Sequence, residues 1–143
     1  MANPISAATV LASSEQANAD DLNAGSKKGW VLVVEDDDDN RDSIVELLKD
    51  AGYDARGVSG GTDALVALRG DRPCLVLADL VMRDMDGREL LLEARRRLEG
   101  PIPPFVFVTG AGPSKLEDIS GLILTKPVDI DRLLGVVAYH CAG

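Results

Sequence analysis

Apolar residues along this chain fall into short unbroken runs that alternate with stretches of helical spacing. WVLVV (30–34) is followed by Ile44, Leu47, Leu48 and Ala51 at helical intervals, ended by Gly52. A weaker strand, YDARGV (53–58), precedes a helix in TDALVALRG (62–70). CLVLA (74–78) and RELLLEARRRLEG (88–100) repeat the alternation, and FVFV (105–108) and a short PSKLEDIS segment (113–120) repeat it again. LILT (122–125) and a last helix with Ile130, Leu133, Leu134 and Val137 on one face complete the series. Strands alternating with helices predict βαβ units and a parallel sheet covered on both faces. Continuous rather than alternating aliphatic runs fit strands buried on both sides, and right-handed crossovers make them all point one way. Residues 1–28 have no period of 2 or 3.6 and read as a flexible tail, which leaves one domain over 29–143.

Composition narrows the function more than the fold. At 143 residues the chain is long enough for one real core, and with 3% aromatics that core must be aliphatic. The formal charge of −9 argues against a nucleic-acid partner and against an anionic membrane surface. No apolar run approaches the length of a membrane span and the N-terminus has no basic leader region, so the chain reads as cytoplasmic. Cys74 and Cys141 are not spaced as metal ligands and read as separate thiols in a reducing compartment, with His140 on an exposed last turn.

The polar residues that follow each strand carry the chemistry. VLVV runs into Glu35 and Asp36, CLVLA into Asp79, FVFV into Thr109, and LILT into Lys126. In an open parallel sheet, ligands bind beyond the carboxyl ends of the strands. Residues far apart in sequence therefore converge on one rim. Carboxylates there suit a hard cation such as Mg²⁺. The hydroxyl and the ammonium suit an anion beside it, and together they equip a carboxylate for phosphoryl transfer. The five consecutive acids 35–39 need such a division of labour, because two carboxylates about 4 Å apart repel by about 4 kcal/mol at an effective dielectric of about 20. Glu35 and Asp36 are assigned to the metal, and Asp38 or Asp39 to the N-terminus of the next helix. Asp37 stays open between the two tasks. Taken singly, the acidic run also reads as a solvated helix entrance, ADLVMRDMDG as an acidic turn and TKP as a loop start. Their joint order along the chain favours the rim.

These residues resemble the receiver domains of two-component response regulators over about 29–139. The resemblance rests on VLVVEDDDDN, LVLADLVMRDMDG, FVFVTG, TKPVD and the second-helix entrance GGTDAL (60–65). It implies a flavodoxin-like doubly wound sheet of five parallel strands in the order 2-1-3-4-5. It also implies that Asp79 accepts a phosphoryl group from a sensor histidine kinase, a histidine phosphotransfer protein or a small acyl phosphate. Mg²⁺ would be held by Asp36, Asp79 and the backbone carbonyl of Val81, with Glu35 acting directly or through water. Lys126 would pair first with the aspartate and then with a phosphoryl oxygen. Thr109 would move to meet the phosphoryl group, Val81 and Ala111 would flank the path of hydrolytic water, and the Lys126–Pro127 bond would be cis. A protein of this kind is a self-phosphorylating and self-dephosphorylating switch rather than a conventional enzyme. It would signal to a downstream protein target or pass the group along a phosphorelay.

Three departures from the family pattern stand out. Ile123 occupies the switch position usually held by Tyr or Phe, and Arg83 replaces the usual proline four residues after Asp79. The connection from Gly110 to Gly121 is short, which predicts a fourth helix reduced to one or two turns from Pro113. The chain ends after the fifth helix, so a stand-alone receiver is expected. The competing readings are a phosphorylation-independent interaction module, favoured by Ile123 and the short fourth helix, and a Mg²⁺-dependent small-molecule phosphatase. Such phosphatases generally carry a second acid where this chain has Val81.

Overall fold

The computed structural model describes residues 29–110 and 122–141, with only the backbone of Leu122. The tail 1–28, the short helix expected from Pro113, and Ala111 lie outside the described residues. Five strands form one parallel sheet: β1 (Trp30–Val34), β2 (Asp54–Val58), β3 (Leu75–Asp79), β4 (Phe105–Thr109) and β5 (Leu122–Thr125). Their spatial order is β2-β1-β3-β4-β5, the doubly wound order expected from the sequence. The described helices are α1 (Asp38–Asp50), α2 (Gly61–Leu68), α3 (Gly87–Arg97) and α4 (Ile130–Cys141).

The alternation of side chains along a strand splits the core into two layers. Leu32, Val34, Val76, Ala78 and Phe107 face Leu65, Leu68, Leu90 and Ala94 of α2 and α3. Val31, Val33, Leu75, Leu77, Val106 and Val108 face Leu48 of α1 and Leu133 and Val137 of α4. β1 and β3 are buried throughout because they are covered on both sides. Each fully buried Val or Leu contributes about 1.5–3 kcal/mol. β2 is an edge strand, and only Ala55 in it is buried, which explains its weak apolar signal.

Local sequence sets the helix ends and corrects four expectations. Asp37, left open above, is the N-cap of α1. Its side chain accepts from Asn40 N–H at 2.9 Å, while Asp38 and Asp39 lie in the first turn. Ile130 was expected on the buried face of α4 but is 53% exposed. It opens the helix at the mouth of an apolar groove with Ile44, Leu47, Val128 and Leu133, while Cys141 completes the buried stripe. His140 is half-buried, edge-on to Tyr139. The two cysteines are not separate thiols: Cys74 and Cys141 form a disulfide across 67 residues, with Cα atoms 5.4 Å apart. Spacing alone hid this bond, because it is the topology that lays the end of α4 beside the start of β3.

Candidate functional site

β1 and β3 run in register, with Val34 opposite Ala78, so the next residues on each strand, Glu35 and Asp79, emerge side by side at the carboxyl rim. β4 and β5 bring Thr109 opposite Thr125, and Lys126 N–H donates to the Thr109 carbonyl at 2.8 Å. That bond turns the Lys126 side chain back over the sheet end. Its Nζ donates to Asp79 Oδ2 at 2.8 Å and to Glu35 Oε1 at 3.2 Å. The Lys126–Pro127 peptide is cis, as expected. Ile123 is half-buried, sits opposite Phe107 and packs on the α2–α3 side of the core.

Backbone donors and two arginines hold the carboxylates. Val81 N–H donates to Asp79 Oδ1 at 3.1 Å, and Asp37 N–H donates to Glu35 Oε2 at 3.1 Å. Arg41 of α1 donates to the Glu35 carbonyl at 3.0 Å and to Asp38 at 2.7 Å. Arg83 lies on Asp36: its N–H and Nε reach Oδ2 at 3.1 and 3.3 Å, and Nη2 reaches the Asp36 carbonyl at 3.2 Å. Glu35, Asp79 and Thr109 are all buried, although each is polar. Keeping such groups out of water is costly unless they are paired.

The electrostatics follow from that burial. Burial is the strongest influence on Glu35 and lifts its carboxyl above the ordinary value, against the pull of the Asp37 N–H and of Lys126. Burial also acts most strongly on Lys126 and draws it down. The hydrogen bonds and charges of Asp79 and Glu35 together outweigh it, and the ammonium ends above its usual value. The Glu35 shift reflects chiefly its burial, whereas that of Lys126 reflects, against burial, the two carboxylates it faces.

Whether the residues fit Mg²⁺ turns on donor chemistry. Among the described residues no three His, Cys, Asp or Glu side chains converge to hold an ion. Mg²⁺ commonly takes one or two carboxylates and completes its shell with water and phosphate oxygens. The oxygen donors of Asp36 and Asp79 on adjoining strand ends fit that habit.

The turn below the site is shaped for close approach. A Cβ on Gly87 would stand 2.6 Å from the Asp79 carbonyl and 3.0 Å from the Phe107 ring, so α3 enters against the end of β3 only through glycine. Asp86 and Glu89 then form a reciprocal cap on α3. Asp84 crosses to the neighbouring helix, accepting from Gly61 and Thr62 N–H at 3.1 and 3.0 Å. The sequence reading missed Asp84 and Arg41. Neither has a local signature, since each acts on an element brought near only by the fold.

A doubly wound parallel sheet with two buried acids and a lysine at its carboxyl rim defines a class of α/β domains, and comparison with known proteins narrows it to one family. The family model "Response regulator receiver domain" matches residues 31–138, and the chain belongs to that family of two-component systems. Over 113 residues it is 34% identical to the response regulator receiver protein CpdR of Brucella abortus, covering 75% of this chain and 92% of that one. A response regulator receiver protein from Pseudomonas putida superposes with a TM-score of 0.71 at 29% identity, covering 78% of this chain and 96% of that one. A CheY-like receiver domain from Methylobacillus flagellatus gives 0.67 at 30% identity, covering 78% and 97%. Among the described residues no helix is long and apolar enough to cross a membrane.

Proposed function

We propose that this receiver is a phosphoryl switch whose acceptor is Asp79. The observation that carries the reading is the Lys126 ammonium bridging Asp79 and Glu35 at 2.8 and 3.2 Å inside a buried acidic rim. An Asp79 carboxylate oxygen attacks the phosphorus of a phosphohistidine on a sensor kinase or histidine phosphotransfer protein. The P–N bond breaks, its electron pair stays on the imidazole, and the new bond is an aspartyl phosphate. Lys126, already within reach, exchanges part of its contact with Asp79 for a phosphoryl oxygen. Asp36, Asp79 and the Val81 carbonyl would hold Mg²⁺, which would supply positive charge to offset the phosphoryl oxygens. Glu35 contributes directly or through water.

The new group brings about 1.5–2 negative charges and three acceptor oxygens to the rim. Thr109 ends β4 beside that position and is the hydroxyl assigned to meet the group. Its movement shifts the balance between two populations of the domain. Ile123, with no hydroxyl or ring, transmits that movement by packing alone. The shifted surface is read by a downstream protein target.

Incubation with acetyl phosphate and Mg²⁺ followed by intact-mass measurement tests the reading. The wild-type chain gains one phosphoryl group, and Asp79→Asn gains none. Turnover of added phosphomonoesters would indicate a phosphatase instead, and no change in either protein would leave an interaction module that works without phosphorylation.

A further inference from the structure

Arg83 lies across the carboxylate that the proposed function gives to the metal. Its backbone N–H and its Nε share Asp36 Oδ2, and Nη2 holds the carbonyl of the same residue. The arginine side chain is 84% exposed while Asp36 is 21% exposed, so the guanidinium approaches from solvent and covers the acid from outside. A Mg²⁺ ion demands near-octahedral geometry at about 2.0–2.1 Å from its oxygens. A guanidinium donating to the same oxygen competes for the lone pairs that face solvent, and its charge repels the incoming dication. Lys126 is placed differently: it reaches Glu35 and Asp79 from the β5 side and leaves Asp36 to Arg83.

We propose that Arg83 is a tethered cation that competes with Mg²⁺ for Asp36 and so sets the free Mg²⁺ concentration at which the site loads. Without metal, the guanidinium neutralises part of the crowded acidic rim. With metal, it swings into solvent, which its exposure permits. The inference rests on the reading of Asp36 as a metal ligand made above. It gives this chain a weaker, more salt-sensitive metal site than one with an uncharged residue at position 83.

The size of the effect follows from the geometry. An exposed ion pair shifts an equilibrium by up to about fivefold, and removing a like charge near a dication adds to that. Arg83→Ala is therefore expected to bind Mg²⁺ about three- to tenfold more tightly than wild type at low salt. The gap should narrow at high salt as the charges are screened. Arg83→Lys, which keeps the charge without the fork, should fall between the two.

Isothermal titration of Mg²⁺ into unphosphorylated wild type, Arg83→Ala, Arg83→Lys and Asp36→Asn separates this inference from the reading beneath it. Thermal unfolding serves as a check that each variant is folded. Tighter binding in Arg83→Ala, with binding weakened in Asp36→Asn, supports the proposal. If Asp36→Asn weakens binding but Arg83→Ala binds Mg²⁺ no more tightly than wild type, the competition is overturned while the metal site stands. If Asp36→Asn binds as wild type does, or wild type binds no Mg²⁺, the metal site itself fails and the role of Arg83 fails with it.

Discussion

The two ends of the sheet are built on opposite terms. At the carboxyl rim, Glu35, Asp36 and Asp79 meet Lys126 and Arg83, with two of the three acids buried. At the opposite end, the Cys74–Cys141 disulfide ties α4 to the start of β3, and Cys74 N–H donates to the Trp30 carbonyl at 2.8 Å. Arg56 stacks over the Trp30 ring at 4.1 Å, and Arg72 donates to the carbonyls of Glu99 and Pro101. One end keeps like charges close, and the other is held by covalent, cation–π and hydrogen-bond contacts. In the proposed function the rim accepts a metal and a phosphoryl group, so it cannot also satisfy its own acids fully. Stability is better placed at the other end, away from the chemistry.

The largest expected effect is at the held end. A disulfide closing a loop of 67 residues stabilises by about 4 kcal/mol in the chain-entropy view. Reduction, or Cys74→Ser with Cys141→Ser, should lower Tm by more than about 10 °C, read by calorimetry. A disulfide is rare in a reducing cytosol, so it pulls against a cytoplasmic placement. Trapping thiols in freshly lysed cells shows which state the chain adopts there.

At the rim, Lys126→Met should cost about 3 kcal/mol, because it leaves Glu35 and Asp79 buried without their cation. Adding Asp79→Asn should recover much of that loss in urea unfolding. Equal stability of the single and double variants would mean that the rim is not short of positive charge. Next in size, Gly87→Ala should cost about 2 kcal/mol, since its methyl would strike the Asp79 carbonyl and the Phe107 ring. An unchanged urea midpoint would show that α3 can back away from the sheet.

The smallest effects separate two acids of the rim by sign. Asp84 is held below the ordinary carboxylate value, first by the N–H of Thr62 against the effect of burial, with Gly61 and Met85 assisting. Its contribution is present above pH 3.8 and is lost as pH falls through its lowered value. Asp84→Ala should cost about 0.5–1 kcal/mol at neutral pH, as an exposed cap does, and less in acid. Glu35 is raised, chiefly by burial. Its contribution is therefore fully present below pH 4.5 and is lost as pH rises through its raised value. Stability measured against pH for Asp84→Asn and Glu35→Gln should differ from wild type with opposite slopes. Parallel slopes would show that the two acids share one environment.

Much of this was legible in the sequence, for a physical reason. Strands buried on both faces must be continuously aliphatic, so β1, β3 and β4 announced themselves, and the polar residue after each marked the rim. That Lys126 and Asp79 share one rim followed from strand direction, and their pairing was what the family resemblance implied. Features that depend on elements meeting were not legible. Asp84 capping α2 and the joining of Cys74 to Cys141 have no local pattern. Ile130 has the right spacing for burial but sits one turn before the contact with the sheet begins. Asp37 displaced its neighbours as the cap because only its backbone is extended, with φ −83° and ψ 120°, while Asp38 already belongs to the helix.

The central claim is that the buried, lysine-paired carboxylate at the end of β3 is where phosphorus arrives. Phosphorylating the chain with acetyl phosphate and Mg²⁺, reducing it with borohydride and sequencing the peptides by mass spectrometry locates the acyl phosphate directly. Homoserine at position 79 alone is the predicted result. Hydroxynorvaline at position 35, homoserine at position 36, or neither product in a chain that has gained phosphate, would contradict the account.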